Sequence, residues 1–154
     1  MDITSFFTIL GASMLPVMEV KAAIPIGVLS LGLPLWEVFL VAVLGSCIPS
    51  PFILFFIRKI LHICQNSRFR LFRKVAGIII RKIEKNQEKI KKYGYLALFI
   101  FVAIPLPGTG VWTGSILAGM LNLRIKYSLP AIVAGNIVAS LCMIFLTHSI
   151  NIVF

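Results

Sequence analysis

Residues 93–123 carry no charged side chain, and the run has an awkward length. Its 31 residues would extend about 46 Å as one straight helix. A bilayer's hydrocarbon core is only about 30 Å thick, and two crossings with a turn need roughly 45 residues. In the middle lies IPLPGTG, residues 104–110. Pro105 and Pro107 remove two amide donors and free the carbonyls of Phe101 and Ala103, while Gly108 and Gly110 permit sharp backbone turns. The run predicts a helical hairpin over 93–123 that enters and leaves an apolar phase by the same face.

The composition demands such a phase. Of 154 residues, 59% are hydrophobic and 13% charged, and the mean hydropathy is +1.01. A soluble domain is about 45–50% apolar and about 25% charged, so the chain reads as an all-α integral membrane protein. The uncharged runs 38–57 and 127–153 are each long enough for a full crossing, which predicts transmembrane helices over 37–60 and 127–150. The first hydrophobic run follows Asp2 and lacks the basic leader of a signal peptide, so it is expected to stay in the mature protein.

Residues 3–36 repeat the economy of 93–123, with two short apolar arms joined through MLPVMEVKAAIP, and predict a second re-entrant hairpin. Setting residue n against n+90 matches Leu31 with Leu121, Leu33 with Leu123, Val43 with Val133 and Gly45 with Gly135. Identity is thin, but the order of broken hairpin, tight corner and long span recurs. The expected fold is two inverted repeats, residues 1–57 and 93–154, each a re-entrant hairpin followed by one transmembrane helix.

Between them, residues 58–92 hold 12 of the 15 Lys and Arg, opposed by Glu84 and Glu88 alone, so this strip carries the whole net charge of +10. Phe69, Phe72, Ala76, Ile79, Ile83 and Ile90 recur at helical spacing, with Arg70, Lys74, Arg81, Lys85, Lys89 and Lys92 on the other side. That pattern predicts a basic amphipathic helix in the interface, against anionic lipid headgroups. Lys and Arg mark the cytoplasmic side, which places 58–92 in the cytoplasm, returns Arg124 and Lys126 there, and leaves both termini outside a multi-pass chain of the cell membrane. The two hairpins would then meet tip to tip at mid-membrane; the competing arrangement has four full spans and both termini inside, and leaves Arg124 and Lys126 on the wrong face.

At the first tip stand Glu19 and Lys21, between Pro16 and Pro25. Charges at that depth cost on the order of 2.5–3.5 kcal/mol each on insertion scales, and intramembrane ionisable groups are functional by default. One reading is an ion pair that only fixes the hairpin. In the other, Glu19 binds and releases a proton or a cationic substrate, and Lys21 holds an anionic group or offsets Glu19. The second tip offers Thr109, Thr113, Trp112 and a restarting helix whose amides favour an anion. Asn136, in the last span, is expected to hydrogen-bond either this tip or a neighbouring helix, and GSCIPSP at 45–51 is expected to kink the other span.

Other chemistries lack their residues. Cys47, Cys64 and Cys142 form no CxxC or Cys/His spacing, and His62 and His148 have no partner at ligand distance in sequence. No nucleophile triad or phosphate loop appears, so neither an enzyme nor a cofactor or metal is expected. A basic strip without base-reading elements does not point to nucleic acid.

EVKAAIP resembles the Glu-x-Arg-Gly-Ala-Ile-Pro element of the small multidrug export protein family, and PLPGTGVWTG resembles its Pro-Leu-Pro-Gly-Thr-Gly-x-Trp-Thr-Gly element. Lys21 stands where that family has Arg, and Ala22 where it has Gly. The family is similar in turn to the DedA and VTT-domain membrane proteins, whose paired re-entrant hairpins are associated with proton-linked transport and lipid movement. The resemblance implies a site of Glu19, Lys21, Pro25, Pro105, Pro107, Gly108, Thr109, Gly110, Trp112 and Thr113. The expectation is a transporter for a small cationic or amphipathic compound. Its alternatives are a translocase for an anionic lipid such as a polyprenyl phosphate, and a structural or assembly protein of the membrane. So few spans leave room for a homodimer.

Overall fold

The computed structural model describes residues 1–65, 87–106 and 108–153, and all the secondary structure among them is helical. Helix α1 spans Ile3–Met14 and stops where Leu15 turns extended, the conformation that a following proline imposes. After a four-residue turn, α2 spans Glu19–Pro25. Pro25 has no amide to continue the ladder, and the helix widens into a π turn over Ile26–Ser30, with the Leu31 amide donating to the Ile26 carbonyl. The π turn is a local consequence of Pro25 that the sequence reading does not contain.

The first long helix is divided. Helix α3 spans Leu35–Cys47 and α4 spans Pro49–Gln65, with the break at Ile48 inside GSCIPSP, where a kink was expected. Helix α5 spans Gln87–Ala103, α6 spans Val111–Met120 and α7 spans Ile125–Val153. Among the described residues, two stretches are long and apolar enough to cross a membrane, Leu35–Ile57 and Ile125–Ser149. By contrast α1, with 12 residues, rises about 18 Å and α6, with 10, about 15 Å. Neither reaches across a hydrocarbon core.

Packing joins the two halves in an exchanged way. Helix α1 packs on α3 and α5 on α7, each within its own half, whereas α2 packs on α7 and α6 on α4, each against the other half's long helix. One apolar cluster gathers Ile9, Val20, Ala23, Ile24, Val38, Val41 and Ala42, with Met143 and Ile144 from the far end of α7 against it. The other gathers Leu98, Val102, Val111, Ala118, Leu123 and Ile132 around Leu54 of α4. Glycines set the closest approaches: Gly45 lies against the Leu10 carbonyl and Ser13, and Gly135 against the Phe99 carbonyl and Val102. Small residues of this kind let helices approach where apolar burial alone supplies no drive.

Of the expected lipid-surface residues, Arg70, Lys74, Arg81 and Lys85 lie outside the described residues, as does the amphipathic pattern from Phe69 to Ile83. Lys89 falls within α5, and Lys92 is exposed with its ammonium 5.2 Å from the centroid of the Tyr93 ring.

Candidate functional site

Each hairpin turn leaves helix ends with unpaired backbone groups, and the residues that satisfy them come from the opposite hairpin. At the start of α6, the Trp112 amide donates to Glu19 Oε1 at 3.0 Å, and the Val111 amide also donates to the Glu19 carboxylate. Glu19 thus caps a helix more than ninety residues away. At the end of α1, the Trp112 indole Nε1–H donates to the Met14 carbonyl at 3.0 Å. Beyond the end of α5, the Lys21 ammonium donates to the Leu106 carbonyl at 2.6 Å and to the Thr109 carbonyl. Glu19 and Lys21 also lie within ion-pair distance, Oε2 to Nζ 3.9 Å.

The local backbone makes this exchange feasible. Glu19 itself has φ +46°, a left-handed conformation uncommon for a side chain of its size. It is only 3% exposed. Gly110, at φ +146°, leaves free the volume that a Cβ would occupy, and the Glu19 carboxylate fills it. Thr109 ties its own loop: its Oγ1 accepts the Leu106 amide at 3.2 Å and lies 2.6 Å from the Ile104 carbonyl.

The structure therefore brings together Glu19, Lys21, Thr109, Gly110 and Trp112. Pro105 is half-buried in the loop beside them, Gly108 is exposed at φ +84°, and Pro25 ends α2 one and a half turns on from Glu19. Pro107 lies outside the described residues. Thr113 is exposed, and its side chain makes no hydrogen bond among the described residues. Asn136 finds the second of its two expected partners, a neighbouring helix: fully buried on α7, its Nδ2 donates to Ser46 Oγ at 2.7 Å and lies 3.5 Å from Cys47 Sγ.

Sequence reasoning missed five contributors, Met14, Leu106, Ser46, Ser50 and Ser115. The carbonyls of Met14 and Leu106 are backbone acceptors, which no residue type announces. The buried pair Ser50 and Ser115, Oγ to Oγ 2.9 Å, joins α4 to α6. Ser46 had one usable signal, since it stands ninety residues before Asn136, the offset at which the sequence matches itself.

Large apolar side chains cover the exterior, and polar ones are buried beside the two apolar clusters. Trp36, Phe52, Phe55, Leu96, Phe145 and Leu146 face outward, whereas Ser46, Ser50, Ser115, Asn136, Ser140 and Glu19 are buried. Apolar side chains on the exterior, polar groups among the buried residues and, among the described residues, two stretches of crossing length suit a membrane protein. The family model described as "Putative small multi-drug export protein" matches residues 19–142, and the chain belongs to that family of membrane transporters. No curated protein and no solved structure matches it.

Proposed function

We propose that this chain is an exporter of the cell membrane whose site is the junction of the two hairpin tips, and that its substrate is a small cationic or amphipathic compound. The carrying observation is the buried Glu19 carboxylate at that junction, bound to the amides of the opposite hairpin beside Lys21. No catalytic step is part of this reading.

The proposed architecture is two inverted repeats, residues 1–57 and 93–154, with hairpins 3–36 and 93–123 re-entering from opposite faces and 58–92 in the cytoplasm. An exchange of n with n+90 supports it. The contact of Lys21 with Thr109 becomes, under that exchange, the contact of Val111 with Glu19. Ser46 with Asn136 maps onto itself. Gly45 packed on Ser13 becomes Gly135 packed on Ala103. The pairing of α2 with α7 becomes that of α6 with α4. A pseudo-two-fold through Ser46 and Asn136 accounts for all four, and repeats related in this way suit rocking around a shared midplane site.

A cation suits the tips better than an anion. Glu19 already occupies the amides of α6 that an anionic headgroup would need, so such a headgroup would have to expel a carboxylate first. Glu19 would also carry the proton, if export is proton-driven, by exchanging it against the substrate's positive charge. In reconstituted vesicles Glu19→Gln should abolish substrate flux while the protein stays folded. Retained flux refutes the site, and loss of folding instead of flux supports a purely structural role for the tips.

A further inference from the structure

The oxygens around the Lys21 ammonium form a cage in their own right. Lys21 Nζ donates to the carbonyls of Leu106 and Thr109, with Thr109 Oγ1 at 3.5 Å and Glu19 Oε2 at 3.9 Å. An ammonium has three donors and no acceptor, so two carbonyls and a hydroxyl match it, and the carboxylate supplies the compensating charge. The Leu106 carbonyl, the Thr109 hydroxyl and the Glu19 carboxylate have holds other than Lys21. The loop is tied by its own bonds, Thr109 amide to Leu106 carbonyl at 3.2 Å and Leu106 amide to Thr109 Oγ1 at 3.2 Å. Glu19 is held separately by the Trp112 amide. Carbonyl oxygens fixed in this manner replace the hydration shell of a monovalent cation. The Lys21 side chain keeps 17% of its exposure against 4% for that of Glu19, so the cage opens on the side from which the lysine enters.

We propose that this cage is a site for a primary ammonium group, filled by Lys21 as a tethered resident and taken over by the protonated amine of a substrate when Lys21 withdraws. The inference rests on the transport reading and narrows its substrate class. A primary amine presents three N–H donors on a compact head. A quaternary ammonium presents none, so equal charge would not suffice. Lys21 is suited to leave, because its ammonium rides on a flexible four-carbon stem, while Glu19 stays with the α6 amides.

Lys21→Ala empties the cage, and Lys21→Met empties it while keeping an apolar stem. Both variants in lipid nanodiscs are titrated with methylammonium, and with tetramethylammonium at the same concentrations, while thermal unfolding is recorded. Methylammonium should raise the midpoint of both variants saturably, tetramethylammonium should not, and adding Thr109→Val should weaken the response at least about tenfold, the effect of losing roughly 1.4 kcal/mol. Absence of a methylammonium response, or an equal response to both ions, overturns the cage. Should neither variant fold, the 15N resonance of the Lys21 ammonium in the wild type decides: it should move with butylammonium and not with tetramethylammonium, and immobility refutes the proposal. The two readings fail separately in the wild type: methylammonium binding with no flux of any amine would leave the cage standing and remove the exporter reading, whereas flux without a cage response would remove the cage alone.

Discussion

Gly110 and Glu19 share one small volume: the carboxylate of Glu19 lies where any Cβ on Gly110 would have to go. The helix cap on α6 therefore depends on a missing methyl group as much as on a carboxylate. Gly110→Ala should expel Glu19 from the Trp112 amide and strain a backbone at φ +146°. Losing a cap costs about 1 kcal/mol and the strained φ about 1–3 kcal/mol, so a destabilisation of about 2–4 kcal/mol is expected. Gly108→Ala is the control. Its φ of +84° is also positive, but nothing lies within 4 Å of the added Cβ, so its cost should be the strain term alone. Denaturation of the two variants in the same detergent checks the difference.

Trp112 serves both tips, with its amide on Glu19 and its indole on the Met14 carbonyl. Trp112→Phe keeps the amide and most of the ring but removes the indole donor. A loss of about 1 kcal/mol in stability is expected, and the same change in a Met14→Ala background should cost as much, because the acceptor is backbone. Thermal midpoints of the single and double variants check it.

The Asn136 to Ser46 bond crosses between α7 and α3 at residues ninety apart. Interhelical hydrogen bonds inside membrane proteins average about 0.6 kcal/mol and reach about 1.7 kcal/mol. A double-mutant cycle of Asn136→Ala and Ser46→Ala should give a coupling in that range. A coupling indistinguishable from zero would remove this bond from the seam between the halves.

Gly45 and Gly135 stand ninety residues apart and both press on the backbone of a neighbouring helix, at the Leu10 and Phe99 carbonyls respectively. Gly45→Ala and Gly135→Ala should each destabilise the protein, by amounts that differ less from each other than from a third variant. That variant is Gly11→Ala, where the added Cβ meets nothing within 4 Å. Replacing an open helical glycine by alanine is stabilising by up to about 1 kcal/mol, so its effect should have the opposite sign.

Much of this arrangement was legible because prolines and run lengths act locally. Pro16, Pro105 and the spacing of charges mark where helices stop, and α1 and α6 are short for the reasons that the uncharged runs already imply. The division of the long helix at Ile48 follows from Pro49 and Pro51 in the same way. What stayed hidden was the partner of each tip group. Glu19 and Lys21 were readable as costly charges, but the groups that offset them are the amides of Val111 and Trp112 and the carbonyls of Leu106 and Thr109, which every residue possesses. Asn136 was readable as a hydrogen-bonding group of the last span, and three-dimensional packing selects Ser46 of the neighbouring helix as its partner.

The central claim is that both hairpin tips lie deep in the bilayer, and the depth of a label on each tests it most directly. With the three native cysteines replaced, spin labels at Val17→Cys and Gly108→Cys in reconstituted protein are compared for collision with membrane-soluble oxygen and with a water-soluble relaxant. Both labels should report a position near the bilayer centre, within about a quarter of the roughly 30 Å hydrocarbon thickness. A label at either site that reports headgroup depth or bulk water contradicts the account.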